Sequence, residues 1–249
     1  METIGRLNAL LEVLRSSPRR VNKLFIDRDK HFGKIHEIVL EARRHKIPLV
    51  FVPRDKLAEL DRNHQGAVAL LSAKEFSTLD EILSSTGHPV LVLLDEVEDP
   101  QNLGAIMRSA EAAGADGIVL PERRSATMTD SVLSVSAGAS EHLKVARVKN
   151  LAQTMDRLKD AGFWLVGAEK DGDGLFFEFD YTTSVGLVLG SEGRGLRTLI
   201  RQKCDRILSI PQRGRINSLN VASAASVFLF EIVRQRMARR PEKNEGEGR

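Results

Sequence analysis

The chain of 249 residues contains a single cysteine, Cys204. One thiol forms no disulfide within the chain and supplies no zinc site of the kind built from several cysteines. So little cysteine excludes the class of extracellular domains held together by disulfides. It suits a reducing compartment, and we expect the protein in the cytoplasm.

Long apolar runs are missing as well. No segment approaches the roughly 18 apolar residues of a membrane helix, and the first residues lack the basic-then-apolar pattern of a signal peptide. We therefore expect no membrane span. We also expect no metal site, because the six histidines show no spacing typical of metal ligands. These histidines are His31, His36, His45, His64, His88 and His142.

Charge of either sign shows no large excess. The chain has 37 Lys plus Arg against 34 Asp plus Glu, which makes a net charge of +3. The basic residues are unevenly spread, since Arg15 to Lys34 holds seven of them and only two acidic residues. Such a cluster can neutralise phosphates, although a solvated surface stretch is an equally good interpretation of the cluster alone.

Helical spacing and apolar runs alternate in the first part of the chain. Residues 4 to 14 have helical spacing, and strand-like runs cover Lys23 to Ile26, Leu49 to Val52 and Ala67 to Leu71. This alternation predicts a small three-layer α/β domain over residues 1–72. The polar segment 73–89 is predicted to be a linker.

Residues 90–240 predict a second and larger α/β domain. Apolar strands that alternate with helical patterns indicate a mainly parallel sheet covered on both faces, and this pattern alone favours a doubly wound, Rossmann-like domain. A long last helix is expected from about Leu219 to Arg239, and the polar tail 241–249 is predicted to be disordered. The predicted strands are Val90 to Leu94, Gly117 to Leu120, Leu143 to Val148, Phe163 to Ala168, Val185 to Leu189 and Arg206 to Ile210.

Three polar or glycine-rich loops follow the carboxyl ends of predicted strands. They cover Asp95 to Arg108, Leu189 to Gly195, and Ile210 to Asn220. Open α/β sheets bind ligands at those ends, so the loops predict one shared pocket. Backbone donors would come from the glycines, and the candidate side chains are Asn102, Arg108, Glu192, Ser218 and Asn220.

Each loop taken singly also has a purely structural interpretation. Asp99, Pro100 and Asn102 suit a turn and a helix cap, and Ser218 with Asn220 can cap the last helix. The glycines can serve a tight turn, since their spacing is neither a dinucleotide fingerprint nor a phosphate-binding loop. The combination is more specific than any one loop.

Taken in order, the three loops resemble the three motifs of the SpoU/TrmH (SPOUT) family of RNA ribose 2′-O-methyltransferases. The first part is similar too: Gly5 to Leu14, Lys23 to Ile26 and His64 to Gly66 resemble the L30e-like substrate-binding domain of the 23S rRNA guanosine methyltransferase branch. The resemblance covers nearly the whole chain before Pro241. It implies a deep trefoil knot in the second domain, which general topology rules alone would argue against.

The resemblance implies S-adenosylmethionine as cosubstrate and no metal. It gives Arg108 the activation of a ribose 2′-hydroxyl, supported by Asn102, while Glu192, Ser218 and Asn220 orient ligand and loop. The residues implied to bind the methyl donor are Leu189, Gly190, Gly195, Ile210, Ser218 and Leu219.

The resemblance also implies a homodimer with the active site near its interface. The last helix, with Val227, Phe228, Phe230 and Val233, suits such a surface, and a buried core face is an equally good interpretation. The expected substrate is a guanosine of 23S rRNA. A tRNA guanosine 2′-O-methyltransferase and a non-catalytic RNA-binding assembly factor stay open as alternatives. The residues expected to bind RNA are Arg19, Arg20, Lys23, Arg123 and Arg194.

Overall fold

The computed structural model of the protein describes residues 2–30, 32–84, 87–214 and 218–239. The tail 241–249, predicted to be disordered, and residues 215–217 of the third loop lie outside the described residues. Two β-sheets form, one from residues before 72 and one from residues after 89. Across these described ranges, no helix has the length and apolar composition that crossing a bilayer requires.

The first sheet has four strands in the order β1-β4-β2-β3. Strands β2 and β3 are parallel, and the other neighbours are antiparallel. Helices α1 and α2 cover one face, while α3 contacts β2 and β4. Ile4 belongs to the edge strand β1, where it pairs with Ala69, so the first helix begins three residues later than its apolar spacing indicates. The elements are β1 (Glu2–Ile4), α1 (Leu7–Ser16), β2 (Val21–Asp27), α2 (Lys34–Arg44), β3 (Leu49–Val52), α3 (Arg54–Leu60) and β4 (Ala67–Leu71).

The second sheet has seven strands, all parallel, in the order β7-β6-β5-β10-β8-β11-β9. The six predicted strands are confirmed, and β9 is an additional strand of two residues. The strands are β5 (Val90–Asp95), β6 (Gly117–Pro121), β7 (Lys144–Val148), β8 (Trp164–Ala168), β9 (Gly174–Leu175), β10 (Val185–Gly190) and β11 (Arg206–Ser209).

Helices cover both faces of this sheet, as the continuous apolar strands predict. Successive side chains of a strand point to opposite faces. In β5, Val92 and Leu94 pack on the side of α5, α6 and α10, whereas Leu91 and Leu93 pack on the side of α4, α8 and α9. The helices are α4 (Leu79–Leu83), α5 (Pro100–Ala112), α6 (Asp130–Val135), α7 (Ala139–His142), α8 (Leu151–Asp160), α9 (Thr198–Lys203) and α10 (Val221–Ala238).

The segment 73–89, expected to be only a linker, contains helix α4. A capping box starts this helix, in which Thr78 Oγ1 accepts from the Glu81 N–H at 3.2 Å and Glu81 Oε2 accepts from the Thr78 N–H at 2.7 Å. Ile82 is fully buried against the second sheet. Part of the expected linker is therefore packed structure, because the capping box offsets the weak amphipathic pattern of so short a helix.

Arg20 joins the two sheets. Its guanidinium binds Glu2 at 2.9 Å, the carbonyl oxygen of Ser72 at 3.1 Å, and Glu141 at the end of α7. The Arg20 side chain is 13% exposed and that of Glu141 1% exposed. These contacts use the donors of Arg20 between the sheets and argue against its role at an RNA surface, while RNA binding by Arg20 stays an untested prediction.

The strand order of the second sheet departs from a simple doubly wound domain. The chain passes from β7 to β8, and β10 then lies between β5 and β8. Gly190 consequently pairs with Asp95, so the loop after β10 begins beside the loop after β5. Because all strands are parallel, the loops after β5, β8, β10 and β11 meet at one edge of the sheet. The trefoil knot that the resemblance implies stays a prediction.

Candidate active site

Asn220 connects the three polar loops. Its Nδ2 donates to Asn102 Oδ1 at 2.8 Å and to Glu192 Oε1 at 2.5 Å. Its Oδ1 accepts from the N–H of Ala222 at 2.8 Å and of Ser223 at 3.3 Å, which caps α10. The cap explains why α10 begins at Val221 and not at Leu219. One amide group thus holds a residue from each loop at the same edge of the sheet.

The first loop separates a capping residue from a site residue. Asp99 is the N-cap of α5, since its Oδ1 accepts from the Gln101 N–H at 2.6 Å, and Pro100 takes the first helical position. Asn102 lies inside the first turn, is 8% exposed, and turns its amide oxygen toward Asn220. The cap interpretation therefore holds for Asp99 and fails for Asn102.

The second loop requires its glycines. Gly193 and Gly195 have φ values of +81° and +68°, in the left-handed region that L side chains rarely adopt. A Cβ at Gly190 would lie 2.2 Å from the carbonyl carbon of Gly195, so no side chain fits there. Ser191 and Gly195 exchange backbone hydrogen bonds of 3.2 and 3.0 Å, which close the loop. The result is a tight backbone turn at the carboxyl end of β10.

Two carboxylates outside the predicted site residues hold the end of this loop. Asp95, fully buried, accepts from the backbone N–H of Arg197 at 2.9 Å and from its Nε at 2.7 Å. The pKa of Arg197 is raised, chiefly by this hydrogen bond to Asp95. Glu169 Oε1 accepts from the Leu196 N–H at 2.9 Å, and its other oxygen accepts from Arg201 at 2.7 Å.

A cleft of about 720 Å³ lies against these loops, and we call it the first cleft. The candidates that line it are Leu189, Gly190, Glu192, Arg194, Gly195, Ile210, Ser218, Leu219 and Asn220. Glu169, Lys170 and Asp171 also line it, at the end of β8. Sequence reasoning overlooked these three, although they follow an apolar strand just as the other loops do.

Arg108 does not line the first cleft. It lies on an exposed position of α5, and its guanidinium makes no hydrogen bond or ion pair within the described part of the chain. Helix α5 packs beside α10, and the hydroxyl groups of Ser109 and Ser226 are 2.8 Å apart. The structure thus leaves a free cation next to the helix that Asn220 caps.

The remaining RNA candidates lie at three places. Arg19 and Lys23 are exposed on the first domain, where Lys23 Nζ lies 5.9 Å from the centre of the Phe25 ring. Arg194 lines the first cleft, and Arg123 lines a second cleft at the same edge of the sheet.

On α10, Phe230 is 50% exposed, whereas Phe228 is 1% exposed and belongs to the core. The core interpretation is therefore the right one for Phe228.

Neither metal ligands nor a reactive thiol occur at the site in the described ranges. No group of three or more His, Cys, Asp or Glu side chains is arranged to hold a metal ion there. Cys204 is partly buried and donates to the Ile200 carbonyl oxygen at 3.4 Å. Burial raises the pKa of its thiol to about 12.

Comparison with protein families divides the chain at the same place as its two sheets. Residues 89–230 match the SpoU rRNA methylase family, and residues 7–77 match the family model described as RNA 2′-O ribose methyltransferase substrate binding. YacO of Bacillus subtilis strain 168, assigned to the TrmH family of tRNA/rRNA methyltransferases, is 39% identical over 238 residues, which cover 94% of this chain and 95% of YacO.

Solved structures agree with these matches. The SpoU methyltransferase AviRb from Streptomyces viridochromogenes, in complex with S-adenosylmethionine, has a TM-score of 0.81 at 30% identity over 96% of this chain and 91% of AviRb. The TrmH/SpoU tRNA modifying enzyme of A. aeolicus has a TM-score of 0.56 at 28% identity, over 64% of this chain and 80% of that one. The chain therefore belongs to the SpoU family of RNA methyltransferases, whose methyl donor is S-adenosylmethionine.

Proposed function

We propose that this protein methylates the 2′-oxygen of a ribose in RNA, with a guanosine of 23S rRNA as the target. The observation that carries the proposal is the junction at Asn220, where one amide group binds Asn102 and Glu192 beside the first cleft. The first domain supports an RNA substrate, since it matches the substrate-binding family. An RNA substrate and a lone thiol that forms no disulfide both suit the cytoplasm.

The first cleft has the chemistry that S-adenosylmethionine needs. Leu189, Ile210 and Leu219 give it apolar surface for an adenine, and Glu169 gives it a carboxylate. Gly190 and Gly195 also line the cleft, so backbone groups form that part of its wall. When bound, S-adenosylmethionine supplies an electrophilic methyl group. The residues that would hold it are Leu189, Gly190, Gly195, Ile210, Ser218 and Leu219.

The ribose 2′-hydroxyl is a poor nucleophile until it loses its proton or has positive charge beside it. We assign this activation to Arg108, whose guanidinium is unpaired within the described residues. Since a guanidinium stays protonated in proteins, Arg108 acts by stabilising the developing alkoxide, and the proton of the 2′-hydroxyl passes to water as the methyl group is transferred. Asn102, Glu192, Ser218 and Asn220 keep the loops in register.

A homodimer would complete this site. Arg108 and the exposed residues of α10 lie on two helices that pack side by side, and Phe230 and Met237 are 50% and 67% exposed on α10. Pairing of two copies through this surface would bury the apolar side chains and bring Arg108 into an enclosed site. Sedimentation equilibrium tests the proposal, and a monomer at micromolar concentration would contradict it.

The test of function is methyl transfer from labelled S-adenosylmethionine to rRNA from a strain that lacks the gene. We expect label in a 2′-O-methylated nucleoside, and Arg108→Ala should lower kcat by roughly 10²-fold or more while leaving binding of the methyl donor unchanged. Arg206→Ala is the matched control, because Arg206 is exposed at the amino end of β11, on the opposite edge of the sheet. Label in a base, or equal rates for both variants, would contradict the proposal.

A tRNA guanosine is the second candidate substrate, favoured by the likeness to a tRNA modifying enzyme. The separate first domain favours rRNA. Mass mapping of modified nucleosides in rRNA and tRNA, with and without the protein, distinguishes the two. A non-catalytic assembly factor is the third reading, and calorimetry that shows no binding of S-adenosylmethionine would support it over both enzymes.

A further inference from the structure

A second cleft of about 460 Å³ opens at the same edge of the second sheet, beyond the loops of the first cleft. Four cationic side chains line it, and we call it the basic cleft: Arg123, Arg124, Lys149 and Arg197. They come from the segments that follow β6, β7 and β10. The basic cleft and the first cleft are therefore neighbours along one edge.

The charge of the basic cleft is only partly neutralised by the protein. Glu96 is the one carboxylate among the described residues that line it, and it pairs with Arg124 at 3.1 Å and with Arg197 at 3.6 Å. Arg197 is neutralised from behind by Asp95 at 2.6 Å. Arg123 and Lys149 are exposed and make no ion pair within the described residues, which leaves two positive charges without a partner.

The backbone of the basic cleft adds to its affinity for anions. Asn150 caps α8 by accepting from the Gln153 N–H at 3.2 Å, and Leu151 and Ala152 of the first turn line the cleft. The start of a helix carries partial positive charge. Glu96 and Arg124, which face each other, have φ values of +58° and +54°. Strain of this kind at non-glycine residues is typical of sites where a side chain must be held in place.

We propose that the basic cleft binds phosphates of the RNA strand that adjoins the target ribose. The proposal rests on the RNA methyltransferase function proposed above. Arg194 in the first cleft and Arg197 in the basic cleft belong to one loop, so a strand leaving the first cleft would cross this loop. No aromatic ring is among the described residues that line the basic cleft, so it offers charge for the backbone and no stacking surface for a base.

The test is the double variant Arg123→Ala and Lys149→Ala, measured by RNA binding without methyl donor. The control is Lys144→Ala with Arg206→Ala, which removes the same charge from exposed positions at the amino ends of β7 and β11 and costs one hydrogen bond, from Lys144 Nζ to the Glu81 carbonyl oxygen. Labelled oligouridylate and a transcript of 23S rRNA are the probes. The two double variants can thus be compared at equal net charge.

We expect the basic-cleft variant to bind both RNAs roughly tenfold more weakly and to lower the slope of log affinity against log salt by about 1.4, from about 0.7 for each lost phosphate contact. The KM for RNA should rise with kcat unchanged, and binding of S-adenosylmethionine and the Tm should match the control. Equal RNA affinity and salt slope for the two double variants would overturn the proposal. Calorimetry in which the basic-cleft variant loses affinity for inorganic phosphate but keeps its affinity for RNA would also overturn the proposal. RNA binding is measured without methyl transfer, so the comparison of the two variants can be interpreted even when the proposed methyltransferase function fails.

Discussion

At the scale of single residues, Asn220 has two roles, which the sequence offers only as alternatives. Its amide oxygen caps α10, and its amide nitrogen binds Asn102 and Glu192. A cap and a ligand-orienting residue use the same residue types at the same position, so the sequence leaves both open. Only the hydrogen bonds show that one side chain serves both. Asp95 and Glu169 were not assigned to the site for a related reason, since their partners are backbone groups distant in sequence.

Replacing Asn220 should therefore cost more function than stability. Asn220→Ala removes a helix cap, which costs about 1 kcal/mol in the free energy of unfolding, and also frees Glu192 and Asn102. We expect binding of S-adenosylmethionine, measured by calorimetry, to weaken by at least roughly tenfold, which corresponds to about 1.4 kcal/mol. Thr78→Ala removes the cap of α4. It should lower the free energy of unfolding by a similar amount without weakening the binding of S-adenosylmethionine. Equal effects of the two variants on the affinity for S-adenosylmethionine would show that Asn220 acts only as a helix cap.

At the scale of elements, α10 supports the site through contacts near its far end. Glu231, 8% exposed, accepts from Arg234 at 2.7 Å and from Gln235 at 2.8 Å. Gln235 in turn accepts from the N–H of Tyr181 at 3.0 Å and donates to the Phe179 carbonyl oxygen at 2.9 Å. The helix thereby holds the segment that leads into β10 and the second loop. The helix itself was predictable from its length and composition, but these contacts were not.

The docking of α10 should depend on pH through Glu231. Its pKa is lowered, first by the hydrogen bond to Arg234. The folded pKa lies below the unfolded one, so its stabilisation is present above the unfolded pKa of about 4.3 and is lost as the pH falls through the folded value. Urea unfolding of Glu231→Gln should show reduced stability at pH 7 and convergence with the wild type in acid. Glu59→Gln, at an exposed pair with Lys56, should change little at either pH. A Glu231→Gln deficit that persists undiminished in acid would contradict this account.

At the scale of the whole molecule, Arg20 makes the two sheets one unit. Its charge was predictable and its role was not, because Glu141 is 121 positions away and becomes a neighbour only after both sheets form. The apolar side chains of the first sheet and of one face of the second sheet also form one contiguous core. The exposed Arg19 and Lys23 of the first domain are therefore held at a fixed position relative to the carboxyl ends of the strands of the second sheet.

Breaking the Arg20 contact should destabilise the whole protein. Arg20→Ala leaves the buried Glu141 carboxylate without its partner, and such losses cost about 3–5 kcal/mol. Arg15→Ala removes an exposed ion pair with Glu37 and should cost less than about 1 kcal/mol. Denaturant unfolding measures both. Where Arg20→Ala is still folded, its RNA affinity should keep the salt slope of the wild type, and a lower slope would return Arg20 to the RNA surface.

The sequence by itself determined the two α/β units, the six main strands and the three loops of the site, because burial on both faces of a parallel sheet demands continuous apolar runs and ends them in polar loops. It did not determine β9 or α4. Strand β9 has two residues and pairs only with β11 among the described strands, and α4 has five residues, so neither gives a clear hydrophobic pattern in the sequence. Tertiary structure alone decided that β10 enters between β5 and β8, that Asn220 joins the three loops, and that Arg20 lies between the sheets. Each of these depends on contacts between residues far apart in the chain, which local periodicity does not record.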